Sequence, residues 1–367
     1  MTTSLPIRIL AVSNTWQGAT DYGFVRALRR AGHSVSVVPE ADYFPLGWRH
    51  RLLKGTRKSL RQLIVRDFEQ SLIAESEFLR PELLLVFKGQ FVTAKSLNAI
   101  RALGTVAINY YPDVSFMSHG PYLAKSLPLY DWIFTTKSYG VADLARELGM
   151  ERASFMPHPF DPETHVPVVL DGKDRARYAG EAAFIGTWSP KKEAMLHRVR
   201  RELPDLDLKI WGNQWERATV DFGTSLMRRP IVGLEYAKAI RATSINIAML
   251  SEARGEATSG DLTTTRTFEI PAAGGFMLHE RTAEAGSFFA EGRECAMFAD
   301  ARELVAKLRH YRVRPNERQQ LAQAGHHRAM TSGYSADERA ATIVQKALQL
   351  RSGDAVVEQF TSASATP

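Results

Sequence analysis

Short apolar runs alternate with helical patterns along most of the 367 residues, and this alternation restricts the fold more than any other feature. The first run, IRILAVS at residues 7–13, is followed by a polar loop, a helical pattern in DYGFVRALRR and an alternating run from Ser34 to Val38. This β-α-β order predicts an open parallel sheet with helices on both faces. Further strands are predicted at residues 83–87, 105–110, 132–136, 182–186, 208–212, 245–250 and 276–278.

The alternation is interrupted in MPHPFDPETHVPVVLDGKD, a stretch that is Pro-rich, acidic and without periodicity. We therefore predict two Rossmann-like, doubly wound α/β domains, at residues 1–167 and 168–335. We expect them to face one another across a cleft, because open α/β sheets bind ligands at the carboxyl ends of their strands. A final amphipathic helix is predicted at residues 336–352 and a flexible tail at residues 353–367.

Composition narrows the class of ligand and the compartment. The chain has 47 basic and 40 acidic residues, and this net charge of +7 favours anionic ligands, lipid head groups or nucleic acid without choosing among them. The single cysteine, Cys295, excludes an internal disulfide, and no Cys/His cluster has the spacing of a structural zinc site. No apolar run approaches eighteen residues, so we expect a cytoplasmic protein that is soluble or peripheral to a membrane.

The stretch SGDLTTTRTFEIPAAGGFMLHE, residues 259–280, has the pattern of a ligand site. If a helix begins near Thr265, the preceding loop lies at the carboxyl edge of the second sheet and faces the cleft. Glu269 then lies about one turn into the helix, where its two carboxylate oxygens can accept hydrogen bonds from a vicinal diol such as that of ribose. The free amides of the first helical turn suit a diphosphate.

This stretch resembles the donor site of GT-B glycosyltransferases of the retaining family 4 kind, which have an acid, seven residues and then Glu before PAAGG. It is more similar still to the spore-maturation (CgeB-type) glycosyltransferases, whose pattern is TxRxFEIPAxGGF. The resemblance extends to NTWQGATDYGFVRALRRAGHSVSVV, FDPETHVP, AAFIGTWSPKKEAML, LKIWGNQW and ERQQLAQAGHHRAMTSGYSADER. It implies a GT-B fold with an acceptor-binding first domain, a nucleotide-sugar donor domain and a C-terminal helix that returns to the first domain.

The resemblance also implies roles for individual residues. Glu269 would bind the ribose, and Asp261 would contact the transferred sugar, although Glu is commoner at the position of Asp261. Lys191 and Lys192 match the position of the base that neutralises the diphosphate, and Arg266 could replace an upstream arginine that is absent here. The other donor-side candidates are Thr265, Gly186, Thr187 and Trp211, where stacking of the Trp211 ring on a base competes with simple packing.

In the first domain, NYYPDVSFMSHG carries two polar candidates beyond the end of a predicted strand. Asp113 matches an acidic position that follows Pro in the family and is a candidate catalytic residue that contacts the acceptor. His119 is a candidate for sugar or acceptor contact or, as lone histidines often are, a structural residue. Gly18 in TWQGAT is similar to the glycine of the loop where the acceptor enters.

No metal and no cofactor are expected, with the nucleoside-diphosphate sugar as the substrate. The Asp-x-Asp in PDLDLKIWG matches the metal signature of a different glycosyltransferase fold, but its alternating leucines indicate a strand. The resemblance implies a glycosyltransferase of the hexosyltransferase class, which transfers the sugar with retained configuration to a glycan, lipid or protein acceptor. The alternatives are a nucleotide-sugar 2-epimerase of the same fold and a non-catalytic protein that binds an anionic polymer.

Residues 48–66, WRHRLLKGTRKSLRQLIVR, contain seven basic residues, no acid and a leucine-rich face. A solvated helix is one interpretation of this segment. The other is a helix on an anionic membrane surface that brings the enzyme to a lipid-linked acceptor. Nucleic acid is not expected as a partner, because the sequence contains no nucleic-acid recognition motif.

Overall fold

The computed structural model describes residues 5–44 and 57–353. Six parallel strands form the first sheet in the order β2-β1-β3-β4-β5-β6. Five parallel strands form the second sheet in the order β11-β10-β9-β7-β8. The strands are β1 Arg8–Val12, β2 Ser34–Val38, β3 Leu83–Phe87, β4 Val106–Tyr111, β5 Trp132–Thr135, β6 Ala153–Phe155, β7 Gly180–Ile185, β8 Leu208–Trp211, β9 Thr243–Ala248, β10 Met277–Glu280 and β11 Ala296–Phe298.

Helices connect successive strands and cover the two sheets, because parallel strands require crossover connections. The helices in the first half are α1 Thr20–Arg30, α2 Arg57–Leu79, α3 Ala94–Arg101, α4 Leu123–Ser126 and α5 Gly140–Leu148. Those in the second half are α6 Gly172–Tyr178, α7 Pro190–Glu202, α8 Leu234–Ala242, α9 Thr265–Ala272, α10 Ala283–Phe288, α11 Ala301–Arg312, α12 Pro315–Thr331 and α13 Ala336–Ser352. Each sheet lies between two apolar layers, so the predicted pair of doubly wound α/β domains is confirmed.

The last helix returns to the first sheet, as predicted. Ala340, Ile343 and Val344 of α13 are buried in the same apolar cluster as Ile9 of β1 and Phe24 of α1. Because burial of this helix face removes apolar area from water, it stabilises the packing of the last helix against the first domain.

Both sheets reverse their strand order once, and this reversal positions the site. The reversals lie between β1 and β3 in the first sheet and between β7 and β9 in the second. Ligands of open α/β sheets bind outside the carboxyl ends of the strands at such a switch point. In the second sheet this position is at the carboxyl ends of β7 and β9.

Part of the basic segment lies outside the described residues. Residues 48–56 are not described, and α2 carries the rest, with Leu60 and Leu63 exposed. The membrane interpretation of residues 48–66 therefore stays a prediction. The tail beyond residue 353 is likewise outside the described residues. Within the described part of the chain, no helix is both long and apolar enough to span a bilayer.

Candidate donor site between the two sheets

Arg266 lies at the switch point of the second sheet. Its guanidinium group donates hydrogen bonds to the carbonyl oxygens of Ile185, at the end of β7, and Met249, just after β9, at 3.3 and 2.9 Å. The same group lies over the Phe184 ring. Gly186 leaves room for it, because a Cβ atom there would lie 2.9 Å from Arg266 Nη1. Arg266 therefore places a fixed positive charge at the switch point, beside the carboxyl ends of β7 and β9.

The neighbouring lysines of SPKKE differ in their surroundings. Lys191 forms an ion pair with Glu280 at the end of β10. Lys192 is only 3 % exposed, and its Nζ donates to Thr187 O at 3.3 Å and to Ser251 Oγ at 3.2 Å. Thr187 itself is exposed in the turn after β7. Of the two lysines, Lys192 is therefore the one without a carboxylate ion pair among the described residues.

Lys192 and Arg266 form a positively charged pair at the start of α7 and α9. Burial and, to a smaller extent, the Arg266 charge together lower the pKa of Lys192 to about 8. An anion bound between the two groups would relieve this repulsion and restore an ordinary lysine pKa. The backbone amides at the start of α9 add partial positive charge, as expected for a helix N-terminus.

Glu269 lies one turn into α9, as the sequence predicts for a helix beginning at Thr265. Thr267 Oγ1 accepts a hydrogen bond from Thr264 N at 3.0 Å and so helps to begin the helix at that residue. Glu269 Oε1 lies 3.6 Å from His165 Nε2. Burial and the Glu269 carboxylate raise the pKa of Tyr236. Tyr236 therefore stays protonated beside an acceptor-only carboxylate.

Asp261 lies at the interface between the domains. Its Oδ1 forms a 2.7 Å ion pair with Lys137 Nζ, and the side chains are 9 % and 4 % exposed. Its Oδ2 accepts a hydrogen bond from Ser251 N at 3.2 Å. Burial alone would raise the pKa of Asp261, but Lys137 lowers it overall. Both oxygens of the predicted sugar-contacting acid are therefore engaged within the protein.

His158, in the linker segment MPHPF, is buried beside this ion pair. Its Nδ1 atom has no hydrogen-bond partner among the described residues. Burial lowers the pKa of His158 to about 3, and the charge of Lys137 acts in the same direction. The Asp261 carboxylate opposes this effect. The imidazole is therefore neutral near pH 7.

Asp113 and His119 form a separate group beyond the end of β4. Asp113 Oδ2 lies 2.7 Å from Lys88 Nζ and 3.1 Å from His119 Nε2. Burial alone would raise the pKa of Asp113, but His119 and Lys88 lower it overall. Asp113 is therefore an ionised acid that holds the His119 ring in place.

A bridging loop, residues 251–261, joins the second domain to the first. The Glu256 carboxylate accepts hydrogen bonds from Ser115 Oγ at 2.7 Å and from Phe116 N at 2.9 Å. Thr258 N donates to Asp143 Oδ2 at 3.0 Å. These contacts close one side of the cleft next to the Lys137–Asp261 pair.

Gly18 and Trp211 occupy positions that their neighbours explain. Gly18 has a positive φ of 96°, and a Cβ atom there would lie 2.5 Å from Gly233 N of the second domain. The glycine is thus required for a close approach of the two domains. Trp211 is 2 % exposed and packs in a core cluster with Ile185 and Phe268. This position favours packing of the indole over stacking on a base.

Sequence reasoning did not identify Lys137 or His158. Lys137 follows the predicted strand WIFTT, so its place at the carboxyl edge of the first sheet was available from the pattern. His158 lies in a segment that we interpreted only as a linker. Their pairing with Asp261 depends on how the two domains meet, which a local pattern does not contain.

Buried histidines should make the protein sensitive to acid. The pKa values of His158 and His279 are lowered by burial to about 3 and about 4. Because the unfolded chain takes up protons near pH 6.5, folding stability is fully present above that pH and is lost as the pH falls. We expect His158→Gln to reduce this loss by about 3 kcal/mol between pH 6.5 and 4, measured by urea unfolding. The exposed His327→Gln is the control, and equal pH slopes for both variants would contradict the prediction.

Comparison with known proteins finds a family that matches part of the chain and solved structures that share its fold. A family model described as "Glycosyl transferase-like" matches residues 191–345, which include both lysines, Asp261, Arg266 and Glu269. No curated protein sequence matches the chain.

Solved structures match along almost the whole length. A glycosyltransferase from Rickettsia africae has 9 % identity and a TM-score of 0.63, with 96 % of this chain and 100 % of that chain covered. HepE of Anabaena, solved with UDP and glucose, has 11 % identity and a TM-score of 0.58, with 93 % and 100 % covered. A UDP-N-acetylglucosamine 2-epimerase, so described, from Listeria monocytogenes has 11 % identity and a TM-score of 0.58, with 95 % and 97 % covered. The protein has the GT-B fold, and its second domain contains a glycosyltransferase-like segment.

Proposed function

We propose that the protein is a glycosyltransferase that takes a sugar from a nucleoside-diphosphate donor. The observation that carries this proposal is the pair Lys192 and Arg266, two cations without carboxylate partners among the described residues, at the switch point of the second sheet. Glu269 lies one helical turn beyond Arg266 on α9. A diphosphate between the cations and a ribose on the carboxylate would satisfy all three groups.

The same residues supply the chemistry of the transfer. As the bond between the sugar and the diphosphate breaks, negative charge grows on the diphosphate oxygens. Lys192 and Arg266 would stabilise that charge from fixed positions, an electrostatic contribution that requires no covalent nucleophile. The departing phosphate can take the proton of the acceptor hydroxyl, which corresponds to retention of configuration at the sugar carbon.

The acceptor side of the proposal rests on the first domain. Asp113, His119 and Gly18 lie on loops beyond its strands, and Asp113 orients the His119 ring. A hexose as the transferred sugar and a glycan, lipid or protein acceptor are parts of this proposal. The exposed Leu60 and Leu63 of α2 support a peripheral position on an anionic membrane.

Asp261 requires a revised role within the proposal. Its two oxygens accept from Lys137 and from Ser251 N in this structure, and each oxygen has a further lone pair that can accept from a sugar hydroxyl. We propose that Asp261 holds the domains together through Lys137 and, with that ion pair kept, also accepts a hydrogen bond from a sugar hydroxyl when the donor is bound.

An epimerase of the same fold is the second candidate, because the Listeria structure covers 95 % of this chain. The two functions differ in their need for an acceptor. An epimerase converts the donor alone, so a new C2 epimer in the NMR spectrum of a nucleotide sugar incubated without acceptor would establish it. A glycosyltransferase leaves the C2 configuration unchanged.

Retention and metal independence can be tested together. We expect transfer with methanol as a small acceptor to give a methyl glycoside with the anomeric configuration of the donor, at the same rate in EDTA and in Mg²⁺. The expected metal independence rests on Asp261 and Asp113, which are already paired with the cations Lys137 and Lys88. The anomeric proton signal reports the configuration, because methyl glycosides do not interconvert. An inverted product would refute retention, and a complete loss of rate in EDTA would refute metal independence.

A further inference from the structure

A second cavity lies at the opposite end of the second sheet from the proposed donor site. It has a volume of about 430 Å³ and is bounded by the first residues of β9, the turn after α9 and one face of α12. Thr243, where β9 begins, lines the cavity, whereas Met249, just beyond the end of the same strand, accepts the Arg266 hydrogen bond. Along an extended strand these positions are roughly 20 Å apart. The cavity is therefore distinct from the cleft.

Two arginines line this cavity, and no acid does. Arg241 donates through Nη1 to Gly274 O at 3.0 Å, and Arg318 donates through Nη1 to the carbonyl oxygens at the end of α11. Across the described residues, neither guanidinium forms an ion pair with a carboxylate and neither uses its other nitrogens. Burial lowers the pKa of Arg318, and the charge of Glu181 opposes this effect. Both groups nevertheless stay charged near pH 7.

A buried hydroxyl without a hydrogen-bond partner lies in the wall of the cavity. Thr243 is 6 % exposed, and its Oγ1 atom has no hydrogen-bond partner among the described residues. A buried hydroxyl without a partner is destabilising by about 1–3 kcal/mol, so such groups are normally satisfied by a ligand or water. Gln319 and Gln323 of α12 line the same cavity and carry further donors, whereas His326, which also lines it, donates through Nδ1 to Pro271 O at 3.1 Å.

We propose that this cavity binds a small phosphate-bearing anion. The guanidinium nitrogens left free by Nη1 suit phosphate oxygens, which arginine binds in pairs of parallel hydrogen bonds. The volume accommodates a diphosphate or a sugar phosphate and leaves space for water. This site is separate from the donor site and does not depend on the glycosyltransferase proposal.

The test uses inorganic pyrophosphate as the probe in isothermal titration calorimetry at constant ionic strength. All measurements are made on the full chain carrying Lys192→Gln, which weakens the anion site of the cleft. In that background, Gln323→Glu adds a negative charge at an exposed residue that lines the cavity, without removing a hydrogen bond present in the structure. The matched control, Gln320→Glu, adds the same charge to an exposed position of α12 that does not line the cavity.

We expect pyrophosphate to bind the Lys192→Gln protein at one site, roughly tenfold more weakly after Gln323→Glu and less than threefold more weakly after Gln320→Glu. Arg318→Gln should also weaken binding at least tenfold if the variant folds. Equal effects of the two Glu variants would show that the affinity for pyrophosphate depends only on the overall charge of the protein. This result would overturn the proposal. Absence of binding at millimolar pyrophosphate would overturn it as well.

Discussion

Replacing Lys192 by glutamine is expected to lower kcat/KM for the nucleotide sugar by two to three orders of magnitude. The lysine is buried, unpaired with any acid of the described residues and adjacent to Arg266, so its charge is available to the diphosphate. Removal of one donor from a preorganised site of developing charge has an effect of this size. The measurement is the initial rate at donor concentrations well below KM.

The chain offers a matched control at the preceding residue. Lys191→Gln removes the same charge one position away, but from a side chain that is paired with Glu280. We expect it to change kcat/KM less than about tenfold. Lys192→Arg should retain part of the activity, because arginine keeps the charge in a different geometry. Equal losses from Lys191→Gln and Lys192→Gln would contradict the assignment of Lys192.

The second large effect is expected on stability. Asp261→Ala should lower the free energy of unfolding by about 3–5 kcal/mol, because it leaves the Lys137 ammonium group buried and without its partner. Asp205→Ala is the control, since Asp205 pairs with Arg312 on the surface with 70 % of its side chain exposed. Exposed pairs contribute about 0–1 kcal/mol. Urea unfolding followed by circular dichroism measures both variants.

A double variant separates the loss of the ion pair from the loss of packing. Lys137→Met together with Asp261→Leu removes both charges and keeps apolar volume at the interface. We expect it to recover most of the stability lost in Asp261→Ala, because no unpaired charge remains. If Asp261→Ala is as mild as Asp205→Ala, the ion pair does not hold the domains together.

The elements that were predictable are those with long local patterns. Buried runs such as 83–87 form strands, and α9 begins at Thr265. Both were predictable because an apolar run and the signals that begin a helix are properties of short segments. The strands β6 and β11 were not predicted, since three residues are too few for a period to show. A strand of this length forms because a neighbouring strand supplies its hydrogen bonds.

Site geometry was predictable only where it depends on one element. Glu269 and Arg266 share α9, so their spacing followed from the helix. The difference between Lys191 and Lys192 depends on which face of α7 meets the sheet and the Ser251 loop. The pairing of Asp261 with Lys137 depends on the contact between two domains, which neither local sequence encodes.

The binding of donor nucleotides tests the central claim most directly. Thermal unfolding is measured without metal for the wild type and Glu269→Ala, with UDP, GDP, dTDP, ADP and CMP sugars. A ligand at one hundred times its Kd stabilises the native state by about 2.7 kcal/mol, which corresponds to a rise in Tm of about 3–4 °C for a chain of this length. We expect one nucleotide sugar to raise the Tm of the wild type by this amount and to leave Glu269→Ala unchanged. If no nucleotide sugar at millimolar concentration raises the Tm of the wild type, the donor-site assignment is wrong.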